Sequence, residues 1–343
     1  MPRLIQPLPD GPVDIVGDVH GEIEALLALL HRLGVNPDRR TAARPVVFVG
    51  DLVDRGPDSV AVVELVAELR DARIAYCIAG NHELNVLANK RKEGNAWYYG
   101  EHEHAQIDGQ HVPVPSRPAT PSEREHIRTF LADLPVVLER PDLRVVHACW
   151  KPELGRLLPE QGDIATLMEE RAGEIKHDLA ARGVDDRAAE ERAEFADLTV
   201  ESVKPTRYLH AVAEAESAHQ SRNPIKVLTS GPELPCAEHF FTGGKWRFVA
   251  RERWWAAPAE RTTVIGHYWR RRGGKIVGKP DLWDTLGPWT WANNVYCVDY
   301  SVGRRFHERA IGRDRGFTGG LGALRWPERV MVFDDREGAI ATE

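Results

Sequence analysis

The feature that most constrains the fold is an alternation of short apolar runs with helical patterns in the first 90 residues. Residues 22–33 and 58–69 carry apolar side chains at helical spacing and lie between runs rich in Val and Ile. A strand–helix–strand repeat is typical of an α/β fold with a parallel sheet. The apolar runs that predict buried strands lie at 13–16, 46–49, 74–78, 144–146, 225–228, 262–265 and 295–298.

Two segments interrupt this rhythm. Residues 89–125 are polar with several prolines and predict an excursion over the surface. Residues 151–221 are rich in Ala, Glu and Arg and predict a mainly helical, solvated insertion. With 343 residues and 42% hydrophobic side chains the chain can bury a full core, which excludes a disordered protein. We therefore expect a single domain over residues 1–343 with these two additions.

The spacing of the cysteines and the length of the apolar runs indicate in which cellular compartment the protein is expected. The four cysteines are scattered without a C-x-x-C pair, which argues against a disulfide framework and a zinc ribbon. A reducing, cytoplasmic location is the simplest interpretation. The first residues lack the apolar run of a signal peptide, and no run of about 18 apolar residues predicts a membrane span. The sequence leaves the oligomeric state open.

Polar side chains follow the first three predicted strands. Asp18 and His20 come after the first, in GDVHG, and side chains two apart on an extended segment point the same way. Asp51 follows the second strand in GDLVDRG, and Asn81 follows the third in GNHE. Because the carboxyl ends of parallel strands line one crevice, we expect these groups to meet there.

Two histidines follow later strands, His147 after Arg-Val-Val and His267 after Val-Ile-Gly. Together the strand ends supply carboxylate, amide and imidazole ligands. Mixed nitrogen and oxygen ligands suit Mn, Fe, Zn or Ni better than Ca or Mg. Six candidate ligands are more than one tetrahedral ion needs, so a two-metal site with one bridging carboxylate fits better.

Three further residues complete the predicted chemistry. His82 stands beside a candidate ligand and can protonate a leaving group. Asp54 can orient that imidazole and raise its pKa. Arg55 offers a planar fork for phosphate oxygens.

The three motifs, GDVHG at 17–21, GDLVDRG at 50–56 and GNHE at 80–83, resemble in order and spacing the signature of the phosphoprotein phosphatase (PPP) family. That family belongs to the calcineurin-like metallophosphoesterases, and the tail of this chain is similar to its bacterial members. The resemblance covers roughly residues 13–88, 143–150 and 225–333.

The resemblance implies a four-layer α/β/β/α sandwich and two divalent transition-metal ions, with Mn as our first choice and Fe, Zn or Ni as alternatives. By position it assigns His82 and Asp54 as the catalytic acid pair and Arg55 to substrate phosphate. It places one ion on Asp18, His20 and Asp51, and the other on Asp51, Asn81, His147 and His267.

The sequence departs from the family pattern near two ligands. Cys149 and Trp150 follow His147-Ala148 where glycine is usual, and Tyr268 and Trp269 follow His267 where threonine is usual. The signature of eukaryotic protein phosphatases near the active site is absent. The second phosphate-binding arginine of the family has two candidates here, Arg251 and Arg253.

The expected function is a metal-dependent phosphoric ester hydrolase in which a metal-bound hydroxide attacks phosphorus. The partner would be a phosphorylated substrate: a phosphoprotein, a nucleotide or a nucleic acid end. A basic, tryptophan-rich strip at 245–275 either favours polyanions, with Arg270–Arg272 near the metal site, or is a solvated charged loop whose tryptophans lie in the core. The named alternatives are a hydrolase of the diadenosine tetraphosphate type and a polynucleotide-end phosphatase. A more distant alternative is a metal-bound interaction module without catalysis.

Overall fold

A computed structural model of the chain describes residues 1–195, 197–273, 282–283 and 286–343. Its strands are β1 (Ile5–Pro7), β2 (Val13–Val16), β3 (Val35–Asn36), β4 (Thr41–Ala42), β5 (Val46–Phe48), β6 (Ala75–Cys77), β7 (His104–Ile107), β8 (Gln110–Pro113), β9 (Val137–Glu139), β10 (Leu143–Val146), β11 (Glu233–Thr242), β12 (Lys245–Arg251), β13 (Thr262–Ile265), β14 (Val295–Cys297), β15 (Gly322–Trp326), β16 (Val330–Phe333) and β17 (Arg336–Ala341). Its α-helices are α1 (Ile23–Leu33), α2 (Ser59–Asp71), α3 (Asn81–Leu87), α4 (Pro121–Ala132), α5 (Pro152–Leu157), α6 (Ile164–Ala181), α7 (Val184–Ala193), α8 (His210–Ser221), α9 (Pro224–Ser230) and α10 (Arg305–Ala310).

The described chain divides into two compact units. The sandwich unit comprises Met1–Ala148, Glu160–Asp163 and Trp255–Glu343, and the helical unit comprises Cys149–Pro159 and Ile164–Trp254.

Two sheets face each other in the sandwich unit. One has the strand order β17-β16-β15-β2-β5-β6, and the other has the order β1-β9-β10-β13-β14. Their facing side chains form one buried core, in which Ile15 and Val47 of the first sheet meet Val145 and Val264 of the second. Helix α1 contacts β16 and helix α2 contacts β6, so both cover the six-stranded sheet. The predicted α/β sandwich with two facing sheets is confirmed.

The parallel strands β2, β5 and β6 pair in register, with Val16 opposite Phe48 and Phe48 opposite Cys77. In the second sheet β10, β13 and β14 are also parallel, with Val145 opposite Val264. The carboxyl ends of these strands therefore lie side by side within each sheet.

The segment predicted as a surface excursion, 89–125, contributes to the core. It forms a 3-10 turn at Ala96–Tyr99, the hairpin of β7 and β8, and the start of α4. Trp97 is 1% exposed, so part of this polar segment reaches into the sandwich unit.

The helical unit has its own apolar core, formed by side chains of α6, α7 and α8 with the hairpin of β11 and β12. The unit extends past residue 221, where we placed the end of the insertion, because the hairpin packs on α8.

One predicted strand is wrong. Residues 225–228 lie in α9, whose first residue is Pro224. The side chain of Asn223 caps this helix by accepting a hydrogen bond from the Lys226 amide. A short apolar run is compatible with a buried helix as well as a strand, and the capping residues decide in favour of the helix.

Among the described helices, we find none with both the length and the apolar character that crossing a membrane requires.

Candidate metal centre

The predicted ligands lie where strands end. Asp18 follows β2 and Asp51 follows β5 in one sheet, while His147 follows β10 and His267 follows β13 in the other. Asn81 is the first residue of α3, directly after the turn that follows β6. Each of these positions is just beyond the carboxyl end of a strand, as the parallel topology requires.

Asp51 stands at the middle of the site. Its Oδ2 lies 3.3 Å from Nε2 of His147 and 3.9 Å from Nε2 of both His20 and His82. Two groups of ligand atoms share it: one with His20 and His82, the other with His147 and His267, and within each group the atoms lie within 4.8 Å of one another. A carboxylate shared by two such groups is what a bridged two-metal site requires.

Asp18 and Asn81 border these groups. Oδ2 of Asp18 lies 4.0 Å from Nε2 of His20, and the backbone amide of His267 donates to that oxygen at 3.1 Å. Asn81 is half-buried. At its neighbour Gly80 a Cβ would collide with the Asp51 carboxylate and lie 2.8 Å from Cε1 of His147. Glycine therefore lets the backbone leading to Asn81 approach both ligands closely.

Backbone carbonyls fix the orientation of two imidazoles. Nδ1 of His20 donates to the carbonyl of Val53 at 3.2 Å, and Nδ1 of His147 donates to the carbonyl of Val49 at 2.7 Å. Both rings thereby present Nε2 to the site, which is the arrangement in which a metal-binding histidine is usually held.

The electrostatics and the donor set fit divalent cations. Burial raises the pKa of Asp18 well above its usual range, and the nearby charge of Asp299 raises it further. Burial acts in the same direction on Asp51, but the imidazoles of His147, His82 and His20 hold its pKa well below the usual range. Buried carboxylates grouped with imidazole nitrogens and an amide oxygen are suited to Mn, Fe, Zn or Ni.

His82 and Asp54 form a buried pair. Nδ1 of His82 donates to Oδ2 of Asp54 at 2.6 Å, which directs Nε2 toward the Asp51 side of the site. Oδ1 of Asp54 accepts from Nε1 of Trp97 at 2.8 Å, and the Asp54 amide donates to Oγ of Ser59 at 2.9 Å. Trp97 comes from the segment that we predicted to lie on the surface. It is separated from Asp54 by 43 residues in the sequence, so the sequence pattern does not reveal their contact.

Arg55 lies at the edge of the same group. Its Nη1 donates to Nε2 of His20 at 3.0 Å, and its guanidinium lies 5.2 Å from the ring centroid of Trp269. Trp269 is 38% exposed, so an aromatic face lies beside the predicted phosphate-binding arginine. Arg251 and Arg253 belong to the helical unit and both are exposed, and their predicted contact with phosphate stays a prediction.

Glu83 is a functional residue to which the sequence analysis assigned no role. It is fully buried, and its carboxylate accepts from the amides of Asp51, Leu52 and Gly80 at 2.7–2.8 Å. It therefore ties the loop after β5 to the turn after β6. Its place at the end of the GNHE motif is the signal that could have identified it.

The backbone is strained at the site. The left-handed conformation, uncommon outside glycine, occurs at functional positions, with φ of 48° at His20, 50° at Asp51, 75° at Asp54, 72° at Arg55 and 63° at His267. Each such residue costs roughly 1–3 kcal/mol, and a cluster of them is typical of functional sites.

Two arginines of the basic strip are engaged within the protein. Arg270 is 1% exposed, and its Nη2 donates to the carbonyls of Gly287 and Thr290 at 3.0 and 2.8 Å. Arg272 pairs with Asp335 at 2.6 Å. The guanidinium groups of Arg270 and Arg272 therefore bind other parts of the chain and do not face a polyanion, contrary to what we predicted for these two. Lys275, which we included in the strip, lies outside the described residues.

Comparison with known families agrees with this geometry. Residues 11–148 match the family described as calcineurin-like phosphoesterase. Residues 11–148 therefore form a calcineurin-like phosphoesterase domain, and the resemblance predicted from the three motifs is confirmed over this part of the chain.

Curated relatives match parts of the chain. A stretch of 74 residues is 49% identical to the asymmetrical bis(5'-nucleosyl)-tetraphosphatase PrpE of Oceanobacillus iheyensis and covers 20% of this chain and 30% of that protein. A stretch of 146 residues is 32% identical to PrpE of Geobacillus thermodenitrificans and covers 40% of this chain and 56% of that protein. The matches thus span between 30% and 56% of the length of these relatives.

Among solved structures, the cold-active protein-tyrosine phosphatase of a psychrophilic Shewanella is similar, at 17% identity and a TM-score of 0.42. The superposition covers 98% of this chain and 83% of that one. A similarity of this size does not bear on the substrate.

Proposed function

We propose that the protein is a metal-dependent phosphoesterase with two metal ions. The observation that carries the proposal is Asp51, which is shared by two groups of buried ligand atoms beside the His82–Asp54 pair. One ion would be held by Asp18, His20 and Asp51. The other would be held by Asp51, Asn81, His147 and His267. Bound at this site, such ions lower the pKa of water and neutralise phosphoryl oxygens.

The chain's own groups supply the rest of the reaction. The Nε2 proton of His82 is given to the leaving oxygen, while the carboxylate of Asp54 keeps Nδ1 protonated and the ring in place. Trp97 fixes the other oxygen of Asp54. With Nε2 of His20 bound to an ion, the guanidinium of Arg55 would no longer donate to that nitrogen and would provide two parallel donors for oxygens of the transferred phosphoryl group.

The acid role of His82 is tested by His82→Ala. General acid catalysis contributes roughly 10²–10⁴-fold, so kcat on p-nitrophenyl phosphate with Mn²⁺ should fall by about that factor. Metal content by mass spectrometry should stay the same as in the parent protein. The matched control is His126→Ala, which removes an exposed histidine of α4 and should leave kcat unchanged. No bound transition metal and no turnover under any metal would refute the phosphoesterase proposal.

For the substrate we propose a dinucleoside polyphosphate. Two observations support this choice over a phosphoprotein or a nucleic acid end. The relatives that match this chain carry the name of bis(5'-nucleosyl)-tetraphosphatases. In addition, the half-exposed ring of Trp269 lies beside Arg55, and an aromatic face next to a phosphate contact can stack on a nucleobase. Two of the basic residues that favoured a nucleic acid end, Arg270 and Arg272, are engaged within the protein.

A panel of diadenosine tetraphosphate, a phosphopeptide and a 5'-phosphorylated oligonucleotide tests the substrate. We expect the highest kcat/KM for diadenosine tetraphosphate. Trp269→Ala should raise KM for that substrate about tenfold or more, since base stacking is worth roughly 1–3 kcal/mol, and should leave KM for p-nitrophenyl phosphate unchanged. A preference for the phosphopeptide would contradict the nucleotide proposal while leaving the phosphoesterase proposal in place.

We further propose Mn²⁺ as the native metal and the cytoplasm as the location. The nitrogen and oxygen donors are compatible with Mn²⁺. The four cysteines are free thiols, which suits a reducing compartment. Metal analysis of protein purified without added metal tests the first of these statements.

A further inference from the structure

Asp299 lies at the same kind of position as the proposed ligands. It is the second residue after β14, and β14 pairs in parallel with β13 so that Cys297 stands opposite Ile265. Continuing this register places Asp299 beside His267, which is the second residue after β13. The sheet that places His147 and His267 at the candidate metal centre thus also places the carboxylate of Asp299 at the same edge.

The segment around Asp299 borders the Asp18–His20 half of the site. A Cβ added to Gly17 would lie 3.5 Å from Cα of Asp299, so the chains meet directly before Asp18. A Cβ added to Gly303 would lie 2.6 Å from Cδ2 of His20. Residues 299–303 therefore run past the backbone of one proposed ligand and the ring of another.

One oxygen of Asp299 is bonded and the other is not. Oδ1 accepts from the amide of Ser301 at 2.8 Å. Oδ2 accepts no hydrogen bond from the part of the chain that the structure describes, although the side chain is only 1% exposed. Burying a carboxylate oxygen without a partner is costly, so a native protein retains such a group where something else satisfies it.

The charges that act on Asp299 belong to the metal centre. They are the carboxylate of Asp51, the imidazole of His147 and the guanidinium of Arg55. Asp299 is in turn the strongest charged influence on Asp18. A cation within this group would satisfy Oδ2 and separate three mutually repelling carboxylates.

We propose that Asp299 is a further oxygen donor of the metal centre, acting through Oδ2 on the ion held by Asp18, His20 and Asp51 or on the water bound to that ion. The proposal rests on the two-metal site proposed above. The competing explanation is that Asp299 only shapes the turn at Ser301 through Oδ1, and the two can be separated by substitution.

The decisive variant is Asp299→Asn. It retains an oxygen that can accept from the Ser301 amide and replaces Oδ2 by an NH₂ group, which repels a cation. We expect Mn²⁺ to bind to the Asp18 site at least tenfold more weakly in isothermal titration, because outer-shell partners of metals are typically worth 10–100-fold in affinity. We also expect a changed Mn²⁺ electron paramagnetic resonance spectrum. Asp14→Asn is the matched control, since Asp14 is equally buried but faces Arg44 and Arg325.

Parent-like affinity, stoichiometry and spectrum in Asp299→Asn would overturn the proposal. An equal loss of affinity in Asp14→Asn would also overturn it, because the loss would then reflect general destabilisation. If Asp299→Asn does not fold, Asp299→Ser, which leaves an uncharged hydroxyl, is measured in the same way. A parent protein that binds no ion would instead refute the two-metal site itself, so the two failures are distinguishable.

Discussion

Asp54 holds His82 with one oxygen and is itself held by Trp97 through the other. This second contact fixes the plane of the carboxylate and so the direction of the imidazole. Trp97 bonds to Asp54, which is not a predicted metal ligand, and we expect it to be a positioning residue. It is the kind of contribution that a motif search misses, because it acts through another residue.

Trp97→Phe tests this role, since it keeps an aromatic ring and removes only the indole donor. A hydrogen bond to a charged group is worth about 1.5–3 kcal/mol, so we expect kcat to fall at least tenfold with KM and metal content unchanged. The acid limb of the pH–rate profile should also shift, which a purely structural role would not cause. Trp326→Phe is the control because it removes an equivalent bond to Asp142 away from the site. An equal loss of kcat in both variants would contradict the positioning role.

Asp14 provides a pH-dependent contribution to stability. Burial raises its pKa to about 6, and the charges of Arg325 and Arg44 only partly oppose this. Between about pH 4 and 6 the carboxyl of Asp14 keeps its proton in the folded protein but has lost it in the unfolded chain. The free energy of unfolding therefore decreases as pH rises through this window, by up to about 3 kcal/mol.

Asp14→Asn should remove this dependence. Measured by urea denaturation with EDTA present, the variant should lose less stability than the parent between pH 4 and 7. Asp10→Asn, at an exposed carboxylate, should behave like the parent protein. Parallel curves for the parent and Asp14→Asn would show that the pKa of Asp14 is not raised in the folded state.

At the scale of elements, the strands that form the site follow from the sequence. Val13–Val16 and Thr262–Ile265 are strands as predicted, because each apolar run is bounded by a glycine or polar residue. The run at 225–228 has the same composition but becomes a helix because Asn223 and Pro224 begin it. Trp97 and Asp299 could not be assigned from the sequence, since their roles depend on contacts between distant elements.

The cap of α9 can be tested directly. Asn223 is fully buried, accepts from the amide of Lys226 and donates through Nδ2 to the carbonyl of Met168 at 2.9 Å. Asn223→Ala should lower the free energy of unfolding by about 2 kcal/mol, since it removes a cap and leaves a buried carbonyl without its partner. Gln220→Ala, at a half-buried amide on α8, is the comparison and should cost less. Thermal denaturation followed by circular dichroism measures both, and an unchanged melting temperature in Asn223→Ala would contradict the assigned cap.

At the scale of the whole molecule, the proposed ligands and the apolar core of the helical unit belong to different units. Asp18, Asp51, His147 and His267 lie in the sandwich unit. The helical unit has a core of its own, centred on residues such as Phe248. Separate cores allow separate unfolding, because each unit buries its apolar surface internally.

This organisation predicts that Mn²⁺ stabilises only one of two unfolding transitions. At a metal concentration of 100 times Kd, binding adds about 2.7 kcal/mol to the stability of the unit that holds the ion. Phe248 is 1% exposed, and Phe248→Ala should cost the helical unit about 3–5 kcal/mol. Calorimetry should therefore show one transition that rises with Mn²⁺ and a second that falls in Phe248→Ala and does not respond to the metal. A single transition that shifts with both changes would mean that the two units unfold as one cooperative body.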